Sequence, residues 1–275
     1  MTKYKVFLLL SSLIVFLSTA YSVLSTASAQ TFDAEKAYLD YQFSLTTYDK
    51  SFTEYQDARD FYLKSQTLTL KEDARIKTVK MLESRDQLEI VYLTALRMKI
   101  LETKGISNDD KNRIFGNIDS EVEYYKKHIE NYKDDDSLEN LFNKNGEAES
   151  RYKSNTSPII YESLFLISLG EQIGIRNDNE LEYGTIKDFI NSGVASGKLQ
   201  MNPFNRWLGD IDSVIESLKK NESLASTQIQ NIHGQFYSVS SSYQKALDTL
   251  TVSSKLLTQL NGFLIEVLTS IKNQQ

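Results

Sequence analysis

The sequence predicts an all-α protein: an elongated multi-helix bundle built from long antiparallel coiled-coil-like hairpins. Three observations predict it. From Ala34, the residues Tyr38, Tyr41, Leu45, Tyr48, Phe52, Tyr55 and Tyr62 recur at steps of three and four, broken only at Arg59; that step is the period of one helical face, not the alternation of a strand. The C-terminal stretch from Phe236 to Ile271 repeats the same spacing. The whole chain has only two prolines and eleven glycines, and long runs free of both favour helices over sheets. A helix with an apolar seam cannot cover it alone, so the seams must close on one another. With 275 residues and 40% apolar content the chain can build the core that this requires.

The N-terminus carries a targeting pattern. Lys3 and Lys5 precede an apolar run from Val6 to Leu24, and Ala27-Ser28-Ala29 before Gln30 forms a small-x-small site, so residues 1–29 read as a signal peptide. An N-terminal anchor is the alternative; Ser11, Ser12, Ser18, Thr19 and Ser22 dilute the run and no basic stop follows it. Both readings place the body outside the cytoplasm, whether periplasmic, cell-surface or secreted. Loss of Lys3 and Lys5 takes the formal charge from -6 to -8, and with no basic stripe this argues against nucleic acid. The absence of cysteine removes disulfides, thiolate chemistry and cysteine-bound metals.

Residues 30–136 are expected to form a long helical hairpin plus a third helix. The first helix, Phe32 to Gln66, would be roughly 50 Å long. Thr69 and Glu72 are spaced as a capping box for the second, Leu70 to Lys104, which Gly105 would stop. Matched lengths argue for an antiparallel pair, with one continuous rod as the alternative because no glycine or proline stands between Thr67 and Leu70. The third helix starts near Asn108 behind Ser107 and buries Ile114, Phe115, Ile118, Val122, Tyr125, Ile129 and Tyr132. Asp134 to Asp136 then make a turn, with Asp136 as the next N-cap.

Residues 137–157 read as a loop or boundary: Leu138, Leu141 and Phe142 could anchor a short helix, after which Asn145-Gly146 signals a turn and a polar run follows. Residues 158–275 are expected to pack back on the first part as one bundle. Ser157-Pro158 opens a helix apolar on most sides, from Ile159 to Ile173, closing near Gly174. Thr185 and Asp188 cap a short helix before Gly193 and Gly197, and Asn202-Pro203 opens the next with Trp207, Ile211 and Leu218 on one side. The last seam runs Phe236, Ser240, Tyr243, Leu247, Leu250, Ser254, Leu257, Asn261, Leu264, Leu268, Ile271, widened by a flanking row of Ala246, Val252, Leu256, Leu260 and Val267, and Asn261 is expected to fix its register.

No metalloprotease helix, phosphate loop, dinucleotide fingerprint or serine elbow is present. His128 and His233 are the only histidines, and without acidic neighbours in sequence His128 reads as a surface or boundary residue. Glu162 and Glu171 read as facing the thin polar side of the apolar helix. Asp134–Asp136 and the run Arg176–Glu180 lack the central glycine of a calcium loop. No catalytic residue, cofactor or metal site is expected. The candidate contacts are aromatic: Tyr38, Tyr41, Tyr48, Tyr55 and Tyr62, read first as a packed seam and second as a stacking ladder, and Trp207.

These features point to an exported, non-enzymatic helical protein acting as an interaction or spacer module at the cell envelope. Its partner would be a protein or envelope component, with self-association through the tyrosine row as one form. An extracytoplasmic ligand-binding or sensor bundle, with its pocket near Trp207 and the Ile159–Leu169 helix, is one alternative. A membrane-active bundle that hides its most apolar helix is another, and an uncleaved N-terminal segment would itself contact the membrane.

Overall fold

The computed structural model describes residues 33–229 and 236–274, so the expected signal segment lies outside the described residues. Seven α-helices and one π-helical turn carry the described chain, with no strand among the described residues: α1 (Ala34–Ser65), α2 (Leu68–Glu102), α3 (Asn108–Glu130), α4 (Leu138–Arg151), the π turn (Tyr152–Thr156), α5 (Ser157–Ala195), α6 (Asn202–Ile229) and α7 (Phe236–Gln274). They belong to one compact unit, Ala34–Gln275.

The chain breaks between α1 and α2, and the two run antiparallel. The Ala34 amide donates to Glu102 Oε1 at 2.9 Å, and Lys77 and Lys80 both reach Glu54 Oε2, at 2.9 and 3.2 Å. The break sits at Gln66, whose φ of 35° is left-handed, an uncommon state for a residue with a side chain. Thr67, not Thr69, is the cap: its hydroxyl accepts from the Leu70 amide. The buried row of α1 also differs from the expected one. Ala37, Ser44, Ser51 and Ala58 are buried and alternate with Tyr41, Tyr48, Tyr55 and Tyr62, each set repeating every seven residues. Small side chains let the neighbouring helix come close while the tyrosines fill the gaps between them. Leu45 and Phe52 flank this row and are half-buried.

Gly105 does not stop α2, which ends at a Thr103 cap. It passes so close to α5 that a Cβ would stand 2.0 Å from the Gly170 carbonyl oxygen, and a Cβ on Gly170 would meet the Ile106 and Thr103 side chains. The α2–α3 turn is thus wedged against the α5 backbone, and two glycines are what the crossing requires.

Residues 137–157, expected as a loop or boundary, are helical almost throughout. Ser137, rather than Asp136, caps α4 by accepting from the Asn140 amide. Only Leu141 and Ala148 of α4 are buried, so its apolar signal is faint, and polar ties hold it instead. The π turn then joins α4 to α5 without a break: the Ser157 amide donates five residues back to the Tyr152 carbonyl. Pro158 follows in the helix with no donor of its own, and the wider turn before it eases the clash that proline makes with the preceding turn. α5 also runs through Gly174 and Gly184 to Ala195. A Cβ at either glycine would meet nothing within 4 Å, so these residues face open space and cost the helix only their propensity.

The C-terminal half of α5 shares a core with α6 and α7: Tyr183, Ile186 and Ile190 pack with Phe204, Ile211, Leu218, Leu257, Leu260, Leu264, Val267 and Ile271. The N-terminal half of α5 lies against α2 and α7. The buried row of α7 is Val239, Ala246, Leu250, Ser253, Leu257, Leu260, Leu264, Val267 and Ile271. Asn261 is exposed, which removes the expected register role, and the buried polar residue of the row is Ser253. No helix among the described residues is long and apolar enough to cross a membrane.

Candidate functional site

The polar interior of the bundle is built from two helical faces that carry ionisable residues where apolar ones are expected. On α2, Asp86 stands in phase with Leu82, Ile90 and Leu93 and is fully buried. On α3, Glu121 and His128 stand in phase with Ile114, Ile118 and Tyr125 and are buried too. A buried carboxylate is tolerated when it is paired and hydrogen-bonded, and both of these are.

Asp86 Oδ1 accepts from Arg85 Nε at 3.0 Å and Nη2 at 2.7 Å. Asp86 Oδ2 lies 2.5 Å from His128 Nδ1 and accepts from the Tyr132 hydroxyl at 2.9 Å. His128 Nε2 is 3.2 Å from the Lys144 carbonyl on α4, so both ring nitrogens face acceptors, and the ring stacks on Tyr124 at 5.6 Å. Arg85 also donates to Asn145 Oδ1 on α4. The surface or boundary role read for His128 is therefore replaced by a buried one, because its acidic partner sits 42 positions away on another helix.

A second set ties α3 to the π turn. Arg151 donates to both Glu121 oxygens, at 2.5 and 3.1 Å, with its guanidinium 4.9 Å over the Tyr124 ring. The Thr156 hydroxyl donates to Glu121 at 2.8 Å and lies 3.1 Å from the Tyr125 hydroxyl. At the end of α3, Lys144 donates to Asp136 at 2.5 Å and to the Asn131 carbonyl at 2.6 Å. These charged groups are saturated.

Glu89 is not. It lies one turn beyond Asp86 on α2, deep among its neighbours, with Tyr41 and Tyr48 of α1, Tyr92 of its own helix, Tyr125 of α3 and Tyr152 of the π turn close enough to feel its charge. The Tyr41 and Tyr92 rings are 5.2 Å apart. Tyr161 of α5 and Tyr243 of α7, 5.0 Å apart, continue the group beyond Tyr152 and Tyr92. Burial, opposed by Arg85 and reinforced by Asp86, pushes the Glu89 carboxyl up to about 7. Burial also raises the phenols of Tyr41, Tyr92 and Tyr152, which stay neutral.

Among the described residues, the side-chain polar atoms that are both sealed and unpaired are Ser163 Oγ, Gln172 Oε1 and Gln274 Nε2. The Glu89 carboxylate and the hydroxyls of Tyr41, Tyr92 and Tyr152 make no hydrogen bond to a described residue and yet are not among the sealed atoms. Glu89, Tyr92 and Tyr152 each keep part of their surface accessible. Polar atoms that are neither paired nor sealed keep contact with water. No group of three or more histidine and acidic residues among the described residues is arranged to hold a metal ion.

Of the aromatic residues singled out by sequence, Tyr41 is buried and Tyr48 half-buried, both close enough to feel the charge of Glu89. Tyr38, Tyr55 and Tyr62 are half-buried along the same helix; Tyr38 touches Tyr41 at 6.1 Å and Tyr55 touches Phe52 at the same distance. Trp207 lies elsewhere: it packs on the α5–α6–α7 core and donates to Glu266 at 2.8 Å. Glu162 pairs with Arg113 at 2.5 Å and Glu171 with Lys99 at 2.9 Å at the bundle surface. Sequence reading missed Asp86, Glu89, Glu121 and Tyr152. Three of them had a signal: a carboxylate in or beside an apolar helical row has to be answered by something across the interface.

The architecture is thus that of an all-helical bundle with hydrogen-bonded charges in its interior. No family model, no curated protein and no solved structure matches the chain.

Proposed function

We propose that this chain is a non-enzymatic helical binding protein that works outside the cytoplasm and takes a small ligand at Glu89. One observation carries the reading: a carboxylate raised by burial that makes no hydrogen bond or ion pair to a described residue, near tyrosine hydroxyls that likewise make none to described residues. Binding sites combine an enclosed wall of aromatic side chains with a few polar groups whose needs the protein leaves unmet. The export signal supports the location, through Lys3, Lys5, the Val6–Leu24 run and Ala27-Ser28-Ala29.

The test is a thermal-shift screen of the purified chain against small organic cations, small carboxylates, neutral sugars and short peptides. At least one class should raise the melting temperature and move the ring signals of Tyr92 and Tyr152 in NMR spectra. If none does, the binding reading fails. Fractionation of the source cells should find the chain outside the cytoplasm and beginning at Gln30; a cytoplasmic chain beginning at Met1 would refute the location.

A second reading, the interaction or spacer module at the envelope, rests on a different feature. α1 and α2 form a long pair, taken in this reading as a coiled-coil-like hairpin that gives an elongated bundle its reach. Its turn exposes Phe61, Leu63 and Leu68, the last at 86%, more apolar surface than a solvated turn needs. Cross-linking in the source cells through a photoreactive group at Leu68 distinguishes the two: a discrete protein adduct favours the module.

A further inference from the structure

We propose that the tip of the α1–α2 hairpin docks end-on on the surface of an anionic lipid bilayer, with Phe61, Leu63 and Leu68 entering the interface and Lys64 and Lys71 meeting the lipid phosphates. This rests on the envelope-module reading above and adds the chemistry of the surface that the hairpin meets; it does not involve Glu89.

Phe61 and every residue from Leu63 to Thr69 are exposed, so no described part of the chain covers the tip. Phe61 and Leu63 each show 59% of their surface and Leu68 shows 86%. A single exposed apolar residue is ordinary, and Leu181, for example, stands between Glu180 and Glu182. At the tip three such residues fall close together, in a stretch from Phe61 to Lys71 that holds two lysines and no acid in a chain of net charge -6. The acids bordering this stretch are answered within their own helices: Asp60 accepts from Arg59 at 2.8 Å and Glu72 from Arg75 at 2.7 Å. Lys64 and Lys71 make no ion pair with a described residue. Helix stability does not ask for Lys71 either. The first turn of α2 has no acid, although the helix dipole favours one there.

The arrangement selects the occupant. Phe61 and Leu63 are two positions apart on α1, about 200° around the helix, so they point to opposite sides of it. A rigid protein groove covers one side of a helix end, whereas a fluid bilayer surrounds it. The charges select the kind of bilayer and the orientation: an anionic surface attracts the basic tip and repels the acidic body, which keeps the hairpin end-on. Lysine stems lie along apolar surface while their ammonium groups stay at the level of the phosphates, and Lys64 Nζ already stands 6.0 Å from the centre of the Phe61 ring. Penetration stops where the carboxylates begin, at Asp60 and Glu72, because charge is costly in hydrocarbon. Contact of this depth needs no spanning helix, and none exists among the described residues.

The chain has no cysteine, so a single environment-sensitive fluorophore can be placed through Ser65→Cys at the tip or, as a control, through Asn261→Cys on α7; both positions are exposed. The purified full chain is titrated with vesicles of phosphatidylcholine alone and of phosphatidylcholine mixed with phosphatidylglycerol. The Ser65 fluorophore should shift to the blue on the anionic vesicles and the Asn261 fluorophore should not. Lys64→Gln with Lys71→Gln should weaken this response by about tenfold or more, as should Leu68→Asp and a rise in salt. These side chains are exposed, so the variants should melt with the wild type. Equal responses on neutral and anionic vesicles, or a response that survives the loss of both lysines, would overturn the charge-guided docking. An Asn261 response as large as that of Ser65 would overturn the end-on orientation. A silent Ser65 fluorophore on both vesicles would overturn the lipid inference, and if Leu68 then cross-links to a discrete protein in the source cells the envelope-module reading stands without it. Silence in both experiments would overturn both.

Discussion

Asp86 and Glu89 lie almost one turn apart on α2, in the same interior, and differ in what surrounds them. Asp86 accepts from Arg85 and Tyr132 and lies against His128, so it ties α2 to α3 and to the turn that follows α3. Replacing it with alanine strands those groups in the core, and removing one partner of a buried pair costs about 3–5 kcal/mol. Asp86→Ala should lose stability of that order in urea unfolding. Glu89 behaves oppositely. Its carboxyl is raised to about 7 from an ordinary 4.5, so between those values the folded chain holds a proton that the unfolded chain releases, and stability falls as pH rises through that window. Below about 4.5 both states are protonated and the penalty vanishes; above about 7 it is complete, at about 3 kcal/mol. Glu89→Gln should therefore match the wild type in unfolding free energy near pH 4 and exceed it near pH 8. Equal stability at both values would show that Glu89 is solvated like any surface acid. At this scale the sequence contained half of the answer. Asp86 in phase with Leu82 and Leu93, and His128 in phase with Ile118 and Tyr125, mark two buried ionisable groups. That they meet depends on the register of α2 against α3, which no local pattern encodes.

The helices that were legible in the sequence are those whose burial is apolar and regular. α1 begins and ends within two residues of its expected limits, and α3 starts at Asn108 behind its Ser107 cap. α4 was legible only at its start, where Leu138, Leu141 and Phe142 suggest a short helix, because the rest is held through Arg85–Asn145, Lys144–Asp136 and Arg151–Glu121 more than through apolar burial. The length of α5 was hidden by Pro158 and Gly174, residues that usually end a helix and here are absorbed by a π turn and an open face. Glycines in this fold accordingly divide into two kinds. Gly105→Ala should cost about 1–3 kcal/mol, since the Gly170 backbone cannot move aside for a Cβ, whereas Gly174→Ala should stabilise α5 by about 0.5–1 kcal/mol. Melting curves of the two variants should move in opposite directions. On α7 the apolar row was placed correctly at Leu250, Leu257, Leu264 and Ile271 and one step out at Leu247, Ser254, Asn261 and Leu268; the structure buries Ser253 and three residues of the flanking row, Ala246, Leu260 and Val267, in their place. Both rows share every second residue, and sequence spacing alone does not choose between them. Asn261, exposed, should accept leucine with a change in stability within about 0.5 kcal/mol, measured by thermal melting.

At the scale of the whole molecule, α5 is the element that the two cores have in common. Its N-terminal half, with Ile160, Leu164, Phe165 and Leu166 buried, packs against α2 and α7, while Tyr183, Ile186 and Ile190 belong to the core with α6 and α7. A helix is cooperative along its length, so melting either half removes a wall from the other. The polar interior adds a second link, because α2, α3, α4 and the π turn are joined there through hydrogen-bonded charges that tolerate little displacement. Two variants made far apart test this coupling. Leu93→Ala opens a cavity in the α2 core, and Phe204→Ala opens one in the α5–α6–α7 core; both side chains are fully buried, and truncations of this size cost about 2–5 kcal/mol each. If α5 transmits stability between the cores, both variants should lower the midpoint of one and the same urea transition, followed by far-UV circular dichroism and by Trp207 fluorescence. Trp207 packs only on the second core, so its signal should fall with the helical signal even in Leu93→Ala. A Trp207 transition that stays at the wild-type midpoint in Leu93→Ala while the helical signal divides into two steps would show two independent folding parts, and α5 would then be a connector and not the shared spine of the bundle.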